Sequence, residues 1–308
     1  MQGQRVLVTG GAGFIGSNLA NTLAAENDVI VVDDLFLGTP DNLVDAVDFR
    51  ERSVLEDDLP TDVDVLFHLA ALSSMQMHED DPQRGARVNV EGFVNAVEQF
   101  VQDGGETVVY ATTSSIYGDR TEPSPESMAV EARTGYEASK LARERYAEYY
   151  DNYYDVLTVA GLRYFSVYQG MADGAEGHKG EFANIIAQFA DDIANGESPV
   201  IYGDGTQTRD FTHVEDVVAA TIQAAEHELS GIYNVGTETQ YSFETVVEML
   251  NDELGTDVEP EYVENPIPED VYVHDTLADA SRIREATNWV PEISFSEGIE
   301  RVCAPYTD

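Results

Sequence analysis

The sequence predicts an α/β fold, a doubly wound parallel sheet with a smaller C-terminal lobe. Short apolar segments alternate with helix-patterned ones through the first half of the chain. A glycine-rich turn joins the first strand to the first helix, and the alternation loosens after Ser166. Parallel strands need a crossover between them, usually a helix, so this alternation is the sequence signature of a parallel sheet with helices on both faces.

In chain order, Arg5–Thr9 is a short apolar strand and residues 14–25 have helical periodicity. Residues 29–32 form a second strand and Val65–His68 another. Residues 86–101 return to helical spacing, and 107–112 are β-branched and strand-like. A long helix over 136–154 leads into a strand over 156–162. Glycines and charges break 170–181, and helices are expected over 182–194, 214–228 and 243–254.

The 59 acidic and 16 basic residues give a net charge of −43, which argues against partners such as nucleic acid or an anionic membrane. The acids are dispersed, and Lys140 and Lys179 are the only lysines. This pattern suggests a halophilic protein, in which salt screens the self-repulsion. No apolar run approaches the roughly 20 residues that span a bilayer. Residues 1–5 lack the basic start of a signal peptide, so a cytoplasmic location is expected. Cys303 is the only cysteine, which excludes a disulfide framework, and the six histidines are scattered. No metal is expected.

The first strand ends in Thr9-Gly10-Gly11-Ala12-Gly13-Phe14-Ile15-Gly16 and a helix follows. Gly10, Gly13 and Gly16 form a variant of the Rossmann dinucleotide fingerprint, in which glycine allows a tight turn and close approach of backbone N–H groups to a pyrophosphate. Asp33 ends the second strand, where a carboxylate accepts from the ribose hydroxyls and repels a 2′-phosphate. NAD is therefore the expected cofactor, in preference to NADP. A dinucleotide-binding domain is expected over 1–165 with 212–236, and a substrate-binding lobe over 166–211 with 237–308. Tyr136 and Lys140 lie at i and i+4 on the long helix and share one face. A nearby ammonium favours the phenolate, so the pair can act as an acid/base, with the Thr113 hydroxyl completing the proton path.

At these residues the chain resembles the extended short-chain dehydrogenase/reductase family, and within it the nucleotide-sugar epimerases such as UDP-glucose 4-epimerase. The likeness covers nearly the whole chain and includes His68-Leu69-Ala70-Ala71, residues 111–118, Leu162-Arg163-Tyr164-Phe165-Ser166, Gly203-Asp204-Gly205, Arg209-Asp210-Phe211, Tyr233-Asn234-Val235-Gly236 and Ala278-Asp279. The resemblance implies Tyr136 as acid/base and Lys140 as its tuning partner on the nicotinamide ribose. Thr113 would bridge to the sugar hydroxyl, and Arg209 would bind the substrate diphosphate. It implies a cofactor lining of Phe14, Ile15, Asp34, Ser53, Val54, Leu69, Ala70, Ala71, Asn89 and Tyr164. It further implies transient oxidation of the sugar to a keto-sugar, a UDP-sugar substrate, and a homodimer.

Dehydratases of the family carry Thr-Asp-Glu where this chain has Thr113-Ser114-Ser115, and decarboxylases keep the Glu. The missing acids favour epimerisation. A silent NAD-binding sensor would be expected to lose Tyr136, Lys140 or Thr113, and all are present. Ser166 departs from the family's usual Asn, and Glu269 stands where a second diphosphate-binding Arg is common. Ser53 stands where an acid usually meets adenine. Glu176-Gly177-His178-Lys179-Gly180 resembles a loop of the ADP-heptose 6-epimerases. Lys179 is thus either a substrate-binding residue or part of a surface loop, and 6-epimerisation or another oxidoreductase activity stays open. Thr276 would face the sugar's C2 substituent and, being small, admit an N-acetyl group; it is otherwise a packing residue. Tyr272 is a second candidate for that space. Ala142, Tyr146, Tyr149 and Tyr153 share a face of the long helix, for dimer contact or for the core.

Overall fold

The computed structural model describes residues 1–172 and 174–307. Among the described residues, seven parallel strands form the central sheet: β1 (Arg5–Thr9), β2 (Asp28–Asp33), β3 (Asp48–Glu51), β4 (Val65–His68), β5 (Thr107–Ala111), β6 (Thr158–Tyr164) and β7 (Gly231–Val235). Their order is β7-β6-β5-β4-β1-β2-β3, with β4 central and β1 paired to both β2 and β4. The chain therefore reverses direction between β1 and β4, and a crevice opens at the C-terminal strand ends there.

Successive strand residues point to opposite faces. On one face Val6, Val8, Val29 and Val31 pack with Leu19 and Leu23 of helix α1 (Phe14–Leu23) and with Val214, Val217 and Ala220 near the start of a later helix. On the other, Leu7, Ile30 and Leu66 pack with Phe93, Val97 and Phe100 of helix α2 (Gly92–Gln102) and with Ala147 and Tyr150 of α3 (Gly135–Tyr153). A separate core around Tyr168, Phe189, Ile193, Phe243 and Phe295 builds the smaller lobe.

The structure refines several sequence expectations. The helix expected over 86–101 is composite: Pro82–Ala86, a π-helical turn at Arg87–Glu91, then α2. The wide turn carries Asn89 inward, and such turns gather at functional sites. β3 and β7 have little apolar alternation of their own and take their strand form from edge pairing with β2 and β6. The strand expected over 156–162 runs instead over Thr158–Tyr164, because its register is set by β5. The helix expected over 182–194 starts at Ile185, where the Asn184 side chain accepts from the Ile186 N–H and caps it. No helix among the described residues is long and apolar enough to cross a membrane.

Candidate active site

The C-terminal ends of β1, β2, β4, β5 and β6 open into a cleft of about 480 Å³, the size of a small-molecule site. Gly10, Gly13, Phe14, Ile15 and Gly16 line one end of it. Gly10 has φ +68°, and a Cβ there would lie 2.6 Å from the Ala70 nitrogen. A Cβ on Gly16 would collide with the Gly10 carbonyl. Helix α1 begins after Gly13 with no side chain capping its N-terminus, which leaves its first N–H groups for an anion. Asp33 is buried and accepts from the Ala12 N–H at 3.0 Å and the Leu35 N–H at 2.8 Å. Burial raises its pKa against the pull of those backbone donors. The glycine cradle, the uncapped helix and the fixed carboxylate fit a dinucleotide, with Leu69, Ala70, Ala71, Val54 and Tyr164 along its course.

Helix α3 brings Tyr136 and Lys140 to the cleft, and β5 delivers Thr113 just beyond its end. Thr134 caps the helix by accepting from the Glu137 N–H at 3.1 Å. Tyr136 and Thr113 line the same stretch of the cleft, and the Thr113 hydroxyl draws the phenol pKa down. The Lys140 Nζ lies 5.7 Å from the Tyr136 ring centre and donates to the Ala111 carbonyl at 3.3 Å. Burial pushes the Tyr136 phenol up, against the Thr113 hydroxyl and the Arg143 charge. Burial also draws Lys140 well below its ordinary range. The lowering of Tyr136 expected from Lys140 is not what the structure shows: the Lys140 ammonium is turned to a carbonyl, the lowering comes from Thr113 and Arg143, and desolvation dominates.

Across the cleft stand Ser166, Lys179, Arg209, Val273 and Thr276. Arg209 donates to the carbonyls of Thr208 at 2.8 Å, His274 at 2.6 Å and Val273 at 2.5 Å. The Lys179 Nζ lies 5.5 Å from the Phe14 ring centre. Its loop is pinned by buried Glu176, which accepts from the N–H groups of Gln169 at 2.7 Å, Gly170 at 3.2 Å and Asn184 at 2.7 Å. Burial lowers Lys179, and Glu176 opposes this.

A family model described as the NAD dependent epimerase/dehydratase family matches residues 6–236. The chain belongs to this family. It is 33% identical over 311 residues to the UDP-glucose 4-epimerase of Mycolicibacterium smegmatis, covering 96% of each chain. It is 34% identical over 303 residues to the ADP-L-glycero-D-manno-heptose-6-epimerase of Alkalilimnicola ehrlichii, covering 91% of each. A UDP-N-acetylglucosamine 4-epimerase from Methanobrevibacter ruminantium, in complex with UDP-N-acetylmuramic acid, matches with a TM-score of 0.90 at 29% identity over 99% of both chains. The protein is an NAD-dependent nucleotide-sugar epimerase.

Several site residues of the epimerase stand elsewhere than the sequence suggested. Asn89 is fully buried behind the cleft wall: it accepts from the Leu72 N–H at 2.8 Å and donates to the Leu72 carbonyl and to Ser139 Oγ, both at 3.0 Å. Ser53 does not line the cleft, because its side chain accepts from the Leu55 N–H in a local turn; Arg52 and Val54 line it instead. Tyr272 also stands off the cleft, with its ring 5.8 Å from the Arg209 guanidinium carbon. Ser166 holds a positive φ of 22°, which asparagine adopts more readily. Asp34 lines the cleft but is engaged by Arg84 at 3.5 Å, and Arg84 stacks 4.0 Å over the Phe36 ring. Spacing within the sequence showed no sign of this arginine at the adenosine end.

The fold also gathers Asp119, His274 and Asp275, whose ligand atoms lie within 4.8 Å of one another. Their mutual bonds, His274 to Asp275 at 2.9 Å and the Asp275 N–H to Asp119 at 2.6 Å, account for the clustering. Behind the site, buried Glu144 pairs with Arg163 at 2.7 Å and accepts from Thr112 at 2.7 Å. Arg163 donates to the Tyr117 hydroxyl, which donates to Asn234, each at 2.7 Å. This chain of bonds links Tyr117, Arg163 and Asn234, three residues from separate sequence motifs, as one structural tie.

Proposed function

We propose that the enzyme inverts C4 of a UDP-hexose, with UDP-glucose and UDP-GlcNAc as substrates. The observation that carries this reading is that Tyr136 and Thr113 line the cleft together, with Ser114 and Ser115 beside them and no carboxylate in the Thr113–Ser115 segment. Bound NAD supplies a reversible two-electron oxidant for the sugar carbon. The glycine cradle and Asp33 would hold it, and Lys140 would meet its nicotinamide ribose. Tyr136 accepts the proton of the C4 hydroxyl and later returns it, with Thr113 sharing that hydrogen bond. Arg209 and Lys179 supply positive charge for the diphosphate, and Lys179 takes over the work of the arginine replaced by exposed Glu269. Thr276 leaves room for a C2 acetamido group.

A second reading, 6-epimerisation of an ADP-heptose, rests on Lys179 standing in the cleft on a loop fixed by Glu176. Incubation with UDP-glucose, UDP-GlcNAc and ADP-heptose in molar salt, followed by NMR of the sugar, separates the two. A new C4 epimer of the UDP-sugars supports the first reading; conversion of ADP-heptose alone replaces it with the second. Tyr146, Tyr149 and Tyr153 are exposed on α3, although Tyr149 and Tyr153 also touch neighbouring rings of the helix end, and we assign that face to a homodimer. Light scattering that finds only monomer would remove this assignment. The division of labour between a dinucleotide-binding domain and a substrate lobe, the high-salt habitat and the cytoplasmic location belong to the same proposal.

A further inference from the structure

Tyr136, Lys140 and Arg143 fall at i, i+4 and i+7 on α3, so one stripe of the helix faces the site. Arg143 lies deepest and is fully buried. Its Nε donates to the Asn89 carbonyl at 2.9 Å, Nη1 to the Ala111 carbonyl at 3.2 Å and Nη2 to the Ala70 carbonyl at 3.0 Å. These acceptors belong to the π-helical turn, the end of β5 and the loop after β4. Ala70 and Ala111 line the cleft, and Lys140 shares the Ala111 carbonyl. Among the described residues no carboxylate pairs with Arg143, because the adjacent Glu144 is taken by Arg163. Burying a cation without a counter-ion costs several kcal/mol. A neutral donor could tie two of these carbonyls at lower cost, so the charge itself calls for an explanation.

We propose that Arg143 is a positioning residue for the epimerase reaction, clamping the three segments that floor the cleft and setting a permanent positive charge beneath Tyr136. The inference rests on the acid/base role of Tyr136. Other groups around that phenol are less steady sources of charge. Glu137 opposes the phenolate but is itself paired with Arg133 at 2.9 Å. The His78 ring stands edge-on at 5.8 Å, and burial favours its neutral form. Burial weakens the hold of Lys140 on its proton, and Lys179 comes from the opposite wall. A guanidinium keeps its charge where an ammonium loses it; burial brings Arg143 down to about 10, still above neutral pH.

The test uses Arg143→Gln, Arg143→Met and Arg143→Lys in the full chain with bound NAD. Each is compared with the same variant carrying Tyr136→Phe, so the difference in tyrosinate absorbance titrates Tyr136 alone and needs no substrate. In the two charge-free variants the Tyr136 midpoint should rise by about one pH unit, and turnover at neutral pH should fall about tenfold and recover as pH rises. In Arg143→Lys a buried ammonium holds its charge less firmly, so the midpoint should lie between wild type and the charge-free variants, and turnover should fall about tenfold through loss of the forked contacts. A wild-type midpoint in either folded charge-free variant overturns the electrostatic role, and full turnover in Arg143→Lys overturns the clamp. Failure of the wild type to epimerise any sugar would strike the functional reading while the titration still decides the charge.

Discussion

The floor of the cleft consists of strand ends and one helix, whereas its substrate wall draws Lys179 from the 3-10 turn Ala175–Phe182, Arg209 from a short strand, and Val273 and Thr276 from a loop. On the floor, polar groups are paired within the core: Glu144 with Arg163 and Thr112, Asn89 with Leu72 and Ser139. On the wall, Arg209 is held by loop carbonyls, and the loop of Lys179 by Glu176. Regular backbone thus fixes Tyr136, Lys140 and Thr113, while side-chain contacts to loops shape the opposite wall. Loops tolerate change better than the elements they join. The wall can therefore change without disturbing the proposed proton path.

The largest effect should come from the floor. Tyr136→Phe keeps the ring and removes the proton acceptor, so turnover of every accepted sugar should drop by about two to four orders of magnitude with NAD still bound. Near wild-type turnover, measured by NMR of the sugar, would take Tyr136 out of the mechanism. Next comes the tie behind it. Glu144→Gln leaves the buried Arg163 charge uncompensated and should lower unfolding stability by about 3 kcal/mol or more in denaturant titrations. An unchanged midpoint would mean that the floor does not depend on that pair.

Wall substitutions should act selectively. Thr276→Tyr should lose UDP-GlcNAc turnover by at least about tenfold, the scale of a steric overlap in a packed pocket, while UDP-glucose turnover persists. Equal loss of both sugars would show that Thr276 supports the site as a whole. Lys179→Ala should raise KM for the UDP-sugar by about tenfold, the loss of one charge-assisted contact, with a smaller change in kcat. A fall in kcat alone would move Lys179 from diphosphate binding to the chemistry. Salt should touch both regions least selectively: the melting temperature should rise from low to molar KCl, because net charge of −43 is then screened. A flat profile would refute the high-salt reading.

Much of the floor was legible in the chain. Gly10, Gly13 and Gly16, the strand-ending Asp33, and the Tyr136–Lys140 spacing each follow from local geometry, which a few neighbouring residues dictate. Arg143 was legible in principle, one turn beyond Lys140 on the same stripe, but only burial shows that it lacks a carboxylate. Asn89 shows the limit in the other direction. Its motif marks it as important, yet its side chain serves the backbone of Leu72 and not the cleft surface.

The remaining arrangement depends on contacts between residues far apart in sequence. Arg84 reaches Asp34 across 50 positions, and Arg209 meets His274 across 65. Periodicity and motif spacing report forces that act within a turn of helix or a pair of strand residues. They therefore determine strands, the glycine turn and the helix face that carries Tyr136 and Lys140. Which loop carbonyls hold Arg209, which carboxylate Arg84 meets, and whether a buried arginine finds a counter-ion are settled only when the sheet and the lobe pack together. Desolvation then sets the strength of each charge.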